Sequence, residues 1–303
     1  MHKPTVLVIL GQTATGKSAL AVKMAKVLAV SGVESEIISA DSRQVYKRLD
    51  IGTGKITKKE MRGVLHHLLD VVHPKRKFTA AEYQKLAISA MAEITKRNKI
   101  PIICGGTGFY IDAVTKGIVF PEVPSNYALR KKLALVSDRG LLLKLQKLDP
   151  ERSENIDINN KVRLIRAIEI AKALGKVPTP ETRPMGYKFI KIGLYLPPEK
   201  LKRKISIRLL ARIREGMIDE AKKLRQQGLS WKRMEELGLE YRSMAQYLQN
   251  KITKSEMVGK LNSEIYKYAK RQMTWFKRDK EIKWFEPSKN ITKQVLTYLQ
   301  KMI

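Results

Sequence analysis

Residues 6–18 read VLVILGQTATGKS, and this stretch decides the class of fold. Val6 to Leu10 is a continuous apolar run rich in β-branched residues, which is typical of a strand buried in a parallel sheet. The next eight residues match the pattern G-x-x-x-x-G-K-[S/T], and helical spacing of apolar residues predicts a helix from about Lys17 to Ala29. A strand, this loop and a helix in that order predict a P-loop that binds a diphosphate or triphosphate.

The chemistry of the loop follows from its residue types. Glycines let backbone N–H groups converge on phosphate oxygens, and the N-terminus of the following helix adds partial positive charge. We expect Lys17 to reach the terminal phosphate and the Ser18 hydroxyl to bind Mg²⁺. The pattern does not by itself identify ATP. The residues expected to bind the phosphates are Gly11, Gln12, Thr13, Ala14, Thr15, Gly16, Lys17 and Ser18.

Further strands alternate with helices in the first third of the chain. Glu36 to Ser39 and Pro101 to Cys104 are strand-like, and Ala80 to Arg97 is strongly amphipathic. This alternation predicts right-handed βαβ units in an α/β fold, a P-loop NTPase-like core with a parallel sheet. Asp41 follows the second strand, so it should lie at the same sheet edge as the P-loop. Spacing alone supports two roles for Asp41 equally. It could be a metal ligand or general base, or it could be the N-cap of a helix.

The pattern changes after Phe120, where prolines interrupt a helical stretch of mixed charge. We predict a helical insertion domain over residues 121–189. Residues 1–120 and 190–303 are predicted to form the catalytic core. Within the second of these segments, Lys191 to Leu196 predicts a strand, and the chain is expected to be helical from Leu201 to its end.

The charge of the chain points to a polyanionic partner. The sequence contains 60 Lys and Arg against 29 Asp and Glu, a formal net charge of +31 that is spread along the chain. Basic folded surfaces of this kind bind nucleic acids, because contacts to phosphates release counterions, although a merely solvated basic surface is the alternative. Residues 266–278, YKYAKRQMTWFKR, interleave aromatic and basic residues on a predicted helix. That pattern suits single-stranded nucleic acid, although some of the rings are expected in the core.

Other classes of protein are disfavoured by composition. One cysteine, Cys104, excludes a disulfide framework and a Cys-based zinc site. The four histidines lack ligand-like spacing, and we expect structural roles for His66 and His67. No segment has the 18 or more apolar residues that a membrane span needs, and no signal-peptide pattern is evident. We therefore expect a soluble cytoplasmic protein.

Five segments together resemble one family, the tRNA dimethylallyltransferases, which are bacterial enzymes that isopentenylate adenosine 37 beside the anticodon. They are GQTATGKS at 11–18, EIISADSRQVYKRLDIGT at 36–53, HHLLD at 66–70, GGTGFY at 105–110 and YAKRQMTWF at 268–276. They follow the family's order, and the resemblance extends over nearly the whole chain. The resemblance implies transfer of a dimethylallyl group from dimethylallyl diphosphate to N6 of adenosine 37, with release of diphosphate. The expected acceptors are tRNAs that read codons starting with U.

The resemblance also implies roles for individual residues. The P-loop would hold the donor diphosphate rather than ATP, with Mg²⁺ at Ser18. Asp41 would be the base that accepts the N6 proton, and Arg208 and Lys17 would stabilise the leaving diphosphate. A monomer acting on one tRNA is the simplest expectation. The residues expected to contact the tRNA anticodon stem-loop are Asp41, Ser42, Arg43, Gln44, Thr107, Arg130, Val162, Arg163, Leu164, Ile165, Arg166, Gly238, Tyr241, Arg242, Lys270, Arg271 and Lys277.

The chain departs from the family pattern at three places. Gln12 stands where proline is usual, residues 156–160 read IDINN where HPND is common, and Glu240 stands where glycine is common. The last two lie in regions expected to contact tRNA, so they bear on the choice of tRNA more than on chemistry.

Two alternatives differ from this interpretation. A small-molecule P-loop enzyme, such as an adenylate isopentenyltransferase or a nucleotide kinase, would need neither the high charge nor the basic aromatic helix. An RNA-binding protein with a vestigial P-loop would not be expected to retain Lys17, Ser18, Asp41 and Arg208.

Overall fold

The computed structural model describes residues 3–302, which form two compact units. One unit lies within Met1–Lys116 and Pro184–Ile303, and the other is Gly117–Arg183. The second unit thus begins and ends a few residues before the limits of 121 and 189 expected from the sequence. The physical reason is that Ile118 pairs with Thr182 in an antiparallel β-bridge, while a strand of the first unit already begins at Lys188.

A parallel sheet forms the centre of the first unit. Its strands lie in the order β3-β2-β4-β1-β5-β6, and every pairing between them is parallel. This arrangement confirms the predicted α/β class. The carboxyl ends of the strands lie along one edge, and the P-loop follows β1 at that edge. The strands are β1 (Thr5–Gly11), β2 (Ser35–Ala40), β3 (His66–His67), β4 (Ile100–Gly105), β5 (Lys188–Leu194) and β6 (Lys283–Phe285).

Helices cover the sheet and make up most of the remaining structure. In chain order they are α1 (Lys17–Val30), α2 (Lys58–Met61), α3 (Ala80–Lys96), α4 (Gly108–Thr115), α5 (Tyr127–Ala134), α6 (Asp138–Leu148), α7 (Pro150–Glu154), α8 (Lys161–Leu174), α9 (Pro198–Arg214), α10 (Met217–Gln226), α11 (Trp231–Glu236), α12 (Leu239–Leu248), α13 (Lys254–Phe276) and α14 (Ile291–Gln300). None of the helices formed by residues 3–302 is long and apolar enough to cross a membrane.

Three apolar clusters hold the first unit together. Residues of α1 and α14 pack on one face of the sheet, and residues of α3 and α4 pack on the other. The third cluster joins α9 to α13 with the segment after β2, including the buried residues Val45 and Leu49. Because this cluster contains both α13 and the chain around Tyr46, it brings the C-terminal helices to the P-loop edge of the sheet.

Helix α13 has strong local determinants. A capping box between Thr253 and Glu256 fixes its start, since each side chain bonds the other residue's backbone N–H. Its buried positions recur every three or four residues, which is the spacing of one helix face. They are Met257, Leu261, Ile265, Ala269, Gln272 and Phe276.

The expectation of helix from Leu201 to the end is wrong at one place. Residues Lys283–Phe285 form β6, an edge strand that pairs with Ile192–Leu194 of β5. Three residues are too few to carry a period that could mark a strand locally. The strand forms because β5 presents an open edge there. Strand β5 itself begins at Lys188, earlier than the predicted Lys191.

The second unit consists of α5 to α8 around its own small core. Leu141, Leu145, Leu164 and Ile168 are each fully buried in it. One buried carboxylate, Glu169, accepts hydrogen bonds from the backbone N–H of Asn126 and from two arginines. Opposite charges and the N–H group compensate the cost of burying that carboxylate.

Candidate active site and nucleic-acid interface

A cavity of about 670 Å³ opens at the carboxyl edge of the sheet. That volume lies within the range of small-molecule sites. Its wall combines the P-loop, the ends of β2 and β4, helix α9 and helix α13. The polar and charged residues that line it include Thr13, Lys17, Ser18, Asp41, Gln44, Lys204, Arg208, Tyr268 and Gln272. Four residues predicted from sequence to act together, Lys17, Ser18, Asp41 and Arg208, therefore share one cavity.

The P-loop turns tightly around the carbonyl oxygen of Gln12. Lys17 Nζ donates to this oxygen at 2.6 Å, and the Thr15 hydroxyl donates to it at 2.7 Å. Gln12 and Thr15 are 5% and 1% exposed. Gly11 lies so close to the Leu194 carbonyl that no Cβ would fit. Only part of the predicted phosphate-binding set therefore lines the cavity. Gly11, Gln12 and Thr15 do not line it and instead support the loop from the side away from the cavity.

Lys17 has an unusual charge balance. Burial, reinforced by the positive charge of Arg208, lowers its pKa to about 8, although the negative charge of Asp41 opposes this shift. The ammonium form still predominates at neutral pH, but it loses its proton more readily than that of an ordinary lysine. A bound anion beside Lys17 would stabilise its charged form, so anion binding and protonation of this lysine reinforce each other.

Asp41 caps a turn and also lines the cavity. Its Oδ1 atom accepts hydrogen bonds from the backbone N–H of Arg43 at 2.8 Å and of Gln44 at 3.3 Å. The carboxylate therefore caps a turn rather than a helix. These bonds use Oδ1 only, and Asp41 also lines the cavity. The turn fixes the direction of the carboxylate, as a group that handles one particular proton requires.

Arg208 lies on α9 and lines the cavity. Its guanidinium is held by the loop that contains Gly52 and Gly54. Its Nη2 donates to the Gly54 carbonyl oxygen at 3.1 Å, and Arg212 Nη1 donates to the Gly52 carbonyl oxygen at 2.8 Å. Gly54 has φ +59°, and a Cβ there would collide with the Arg208 guanidinium. The backbone angle favours glycine at this position, and a larger residue would also displace the Arg208 guanidinium.

A carboxylate behind this loop determines its shape. Glu220 Oε2 accepts from the backbone N–H of Asp50 at 2.8 Å and of Ile51 at 2.7 Å. Glu220 Oε1 accepts from Gly52 N–H at 3.0 Å and from the Tyr241 hydroxyl at 2.6 Å. Glu220 could not be identified from the sequence, because nothing near it signals a partner 170 residues away. Its contacts make it a support for the loop that holds Arg208.

Helix α13 presents two different faces. Tyr268 and Gln272 line the cavity, and burial raises the pKa of Tyr268 to about 12, so its hydroxyl keeps its proton at neutral pH. Lys270, Arg271 and Lys277 are exposed. These three lysine and arginine side chains are thus available to a polyanion, as the prediction of a nucleic-acid contact requires.

The predicted contact residues after β2 and β4 adjoin the cavity. Ser42 N–H donates to the Thr107 hydroxyl oxygen at 3.0 Å, which ties the two turns together. The Arg43 guanidinium lies beside Gly238, 3.3 Å from the position that a Cβ would take. Arg242 is exposed. These residues form a polar margin next to Asp41.

Two of the predicted tRNA contacts are incompatible with the structure as side-chain contacts. Tyr241 is 1% exposed, packs in the cluster of the C-terminal helices and donates its hydroxyl to Glu220. Leu164 is 0% exposed in the core of the second unit. Both lie within segments matched to tRNA contact, but the inward side of a helix serves packing.

The other predicted contacts of the second unit reach its surface. Val162 and Arg163 are exposed, and Ile165 is partly buried. Arg130 Nη2 donates to Glu169 at 2.7 Å, and Arg166 also pairs with Glu169. The two guanidinium groups are about one-third exposed, so they are held in place by the carboxylate and still reach solvent.

Comparison with known proteins assigns the chain to a family. Residues 44–279 match the model of the IPP transferases. The chain belongs to the IPP transferase family. This result confirms the resemblance drawn from the five segments.

Individual relatives match over nearly their full length. A tRNA dimethylallyltransferase of Halothermothrix orenii is 38% identical over 98% of this chain and 92% of its own length. Another, tRNA dimethylallyltransferase 2 of Treponema denticola, is 43% identical over 91% and 92%. The crystal structure of the tRNA isopentenylpyrophosphate transferase of Bacillus halodurans is similar, with a TM-score of 0.74 and 34% identity over 99% of this chain and 96% of that one. The enzyme class predicted from sequence, a prenyltransferase that modifies tRNA, is confirmed by these relatives.

Proposed function

We propose that this protein transfers a dimethylallyl group from dimethylallyl diphosphate to N6 of adenosine 37 in tRNAs that read codons starting with U. The observation that carries the proposal is the single cavity in which Lys17, Asp41 and Arg208 meet under a helix with an exposed basic face. Family membership and the names of the relatives support the same activity.

The donor site combines charged and apolar walls. Lys17 and Arg208 would bind the diphosphate, assisted by backbone N–H groups of the P-loop and the N-terminus of α1. Val22, Ile56 and Ile207 line the same cavity and would accommodate the hydrocarbon part of the donor. An apolar wall beside a phosphate loop favours an isoprenoid diphosphate over ATP.

The proposed reaction is a displacement at C1 of the allyl group. The bond from N6 to C1 forms, the bond from C1 to the diphosphate oxygen breaks, and the N6 proton passes to the Asp41 carboxylate. Adenine N6 is a poor nucleophile, so positive charge develops at C1 while negative charge develops on the diphosphate. Lys17 and Arg208 would stabilise the leaving group because they are fixed in place before the reaction.

The residues present fit a Mg²⁺ ion of the kind that accompanies a diphosphate. Ser18 lines the cavity beside Lys17 and offers a hydroxyl oxygen, the ligand type that Mg²⁺ prefers. Within residues 3–302 no group of three or more His, Cys, Asp or Glu could hold a metal alone. The remaining ligands would be diphosphate oxygens and water molecules, and the ion would neutralise part of the diphosphate charge.

The acceptor would be presented by the anticodon stem-loop. An N6 amine inside a stacked loop is inaccessible, so the adenine would have to be flipped into the cavity beside Asp41. The exposed Lys270, Arg271 and Lys277 would bind the RNA backbone. One monomer would act on one tRNA, in the cytoplasm.

A transfer assay tests the proposal. Purified protein, Mg²⁺ and labelled dimethylallyl diphosphate are incubated with an unmodified tRNA that carries adenosines at positions 36 and 37, and in parallel with AMP. We expect label in tRNA at adenosine 37 and none in AMP. Label in AMP alone would instead identify a small-molecule isopentenyltransferase, and binding of tRNA without transfer would contradict the proposed chemistry.

A further inference from the structure

One glutamine side chain links the P-loop to the turn after β4. Gln272 lies on α13, is 6% exposed and lines the cavity. Its Oε1 accepts from Thr13 N–H at 2.7 Å, and its Nε2 donates to the Gly106 carbonyl oxygen at 2.8 Å. We infer that Gln272 is a positioning residue for the donor diphosphate, because it fixes the P-loop against the turn after β4. This inference rests on the proposed function of the cavity.

The first of these bonds acts at the strained part of the P-loop. Ala14, directly after Thr13, has φ +62°, a left-handed conformation that is unfavourable for a non-glycine residue. Such a conformation persists only where its surroundings enforce it. The bond from Thr13 N–H to Gln272 holds the peptide group between Gln12 and Thr13, one residue before Ala14. Loss of the bond would let the loop relax and misdirect its anion-binding N–H groups.

The second bond acts across a very close contact. A Cβ on Gly106 would collide with Gln272 Nε2, so the helix side chain rests directly on the backbone of this turn. The same turn continues to Thr107, which receives the Ser42 N–H bond next to Asp41. Gln272 therefore connects the phosphate-binding loop with the turn beside the expected base.

An amide side chain meets both demands at neutral pH. Gln272 must accept at one atom and donate at the other, which a leucine cannot do at all. A glutamate accepts at both oxygens when ionised, and gains a donor only when protonated. This difference gives a test that depends on hydrogen bonding rather than on size.

Gln12 also connects the P-loop with α13, from the side of the loop away from the cavity. Its Nε2 donates to the Ala269 carbonyl oxygen of α13 at 3.3 Å, and its Oε1 accepts from Leu196 N–H at 3.4 Å. The P-loop and α13 are thus joined by two reciprocal glutamines. Gln12 bonds behind the loop, whereas Gln272 bonds from the cavity side, so Gln272 has the direct influence on bound diphosphate.

The test is binding of inorganic diphosphate with Mg²⁺, measured by calorimetry on the full-length protein. We expect Gln272→Leu to weaken this binding by about tenfold to a hundredfold, the loss that follows from unpaired buried groups. The dissociation constant for tRNA should change by less than about twofold. Gln249→Leu is the matched control, since the Gln249 side chain bonds only to Ala245 of its own helix and should leave diphosphate binding unchanged.

Gln272→Glu supplies a second readout that a merely structural role would not produce. At pH 8 the new carboxylate lacks the donor for Gly106 and repels diphosphate, so binding should be weaker than in Gln272→Leu. Because position 272 is buried, the pKa of the new carboxyl should be raised, so that protonation at pH 5.5 restores a donor. The affinity relative to wild type at the same pH should then recover by at least about tenfold. This readout also decides the question if Gln272→Leu fails to fold.

The outcomes separate the two proposals. Wild-type protein that binds diphosphate but transfers nothing to tRNA would refute the proposed function and leave the role of Gln272 standing. Binding of diphosphate by Gln272→Leu as tightly as by wild type, or a Gln272→Glu affinity that does not recover at low pH, would overturn the positioning role.

Discussion

The two faces of helix α13 differ in exposure, although the residues that form them are close together in sequence. Tyr268 and Gln272 face the cavity, while Lys270 and Arg271, between them in sequence, are exposed. Successive residues in a helix point about 100° apart, so neighbours in sequence face different surroundings. One helix can therefore bear on donor binding through one face and on RNA through the other. If the two faces are functionally separate, substitutions on each should affect only one of these activities.

The largest effect is expected for Asp41→Asn, on the cavity side. The asparagine oxygen can still cap the turn at Arg43 and Gln44, but it cannot accept a proton. Turnover should fall by about 10²–10⁴, the usual contribution of a general base. The dissociation constant for tRNA, measured by filter binding, should change by less than about threefold. A comparable loss of tRNA affinity would show that Asp41 acts in RNA binding instead.

Lys17→Met should raise the KM for dimethylallyl diphosphate by roughly a hundredfold, through loss of a charge-assisted contact. The wild-type KM should also depend on pH. The pKa of Lys17 is lowered to about 8, so the lysine is protonated below pH 8 and loses its charge above it. The donor KM should therefore rise between pH 8 and 9.5, and Lys17→Met should lack that rise. An identical pH profile in both proteins would refute this role for the lysine.

Glu220→Gln should act at a distance, through the loop that holds Arg208. The variant loses acceptor capacity for the three N–H groups of residues 50–52, so Gly54 and Arg208 lose their support. We expect about a tenfold fall in kcat/KM for the donor, in line with loss of buried hydrogen bonds. The exposed Glu215 lines the same pocket as Asp50 and Ile51. It provides the control Glu215→Gln, which removes the same charge nearby, whereas the N–H groups of residues 50–52 bond to Glu220. Equal effects of both variants would indicate that the loss of negative charge, rather than the loss of hydrogen bonds to the loop, lowers kcat/KM.

The smallest effect is expected on the outer face. Lys270→Ala should weaken tRNA binding several-fold and reduce the slope of log affinity against log salt by about one. Lys270 is preferred to Arg271 because the Arg271 guanidinium lies 5.9 Å from the Tyr268 ring and so touches both faces. Lys293→Ala, an exposed lysine on α14, is the control for loss of charge alone. A raised donor KM in Lys270→Ala would contradict the separation of the two faces.

Local patterns in the sequence were sufficient for the sheet and the phosphate site. A strand, glycine loop and helix lie together in residues 5–30, so their geometry is encoded within one short segment. Asp41 could be placed at the same edge because parallel strands share the direction of their carboxyl ends. The rule also holds for the turn at Gly105. These residues meet in the cavity as the sequence indicated.

Contacts between distant segments were beyond the reach of local patterns. Gln272 bonds Thr13 across 259 residues, and Glu220 bonds the loop after β2 across about 170. Polar residues of this type occur throughout the chain, and only the packing of the C-terminal helices selects these two. The same packing turned Tyr241 inward, away from the RNA contact expected of it. Strand β6 likewise depends on the open edge of β5 rather than on its own three residues.

The most direct test of the two-face account is one transfer assay that yields the KM for dimethylallyl diphosphate and the KM for tRNA. It is applied to wild type, Gln272→Leu and Lys270→Ala. We predict that Gln272→Leu raises only the donor constant and Lys270→Ala raises only the tRNA constant. If either variant changes both constants by similar factors, the helix acts as a single unit and the separation of its faces is wrong.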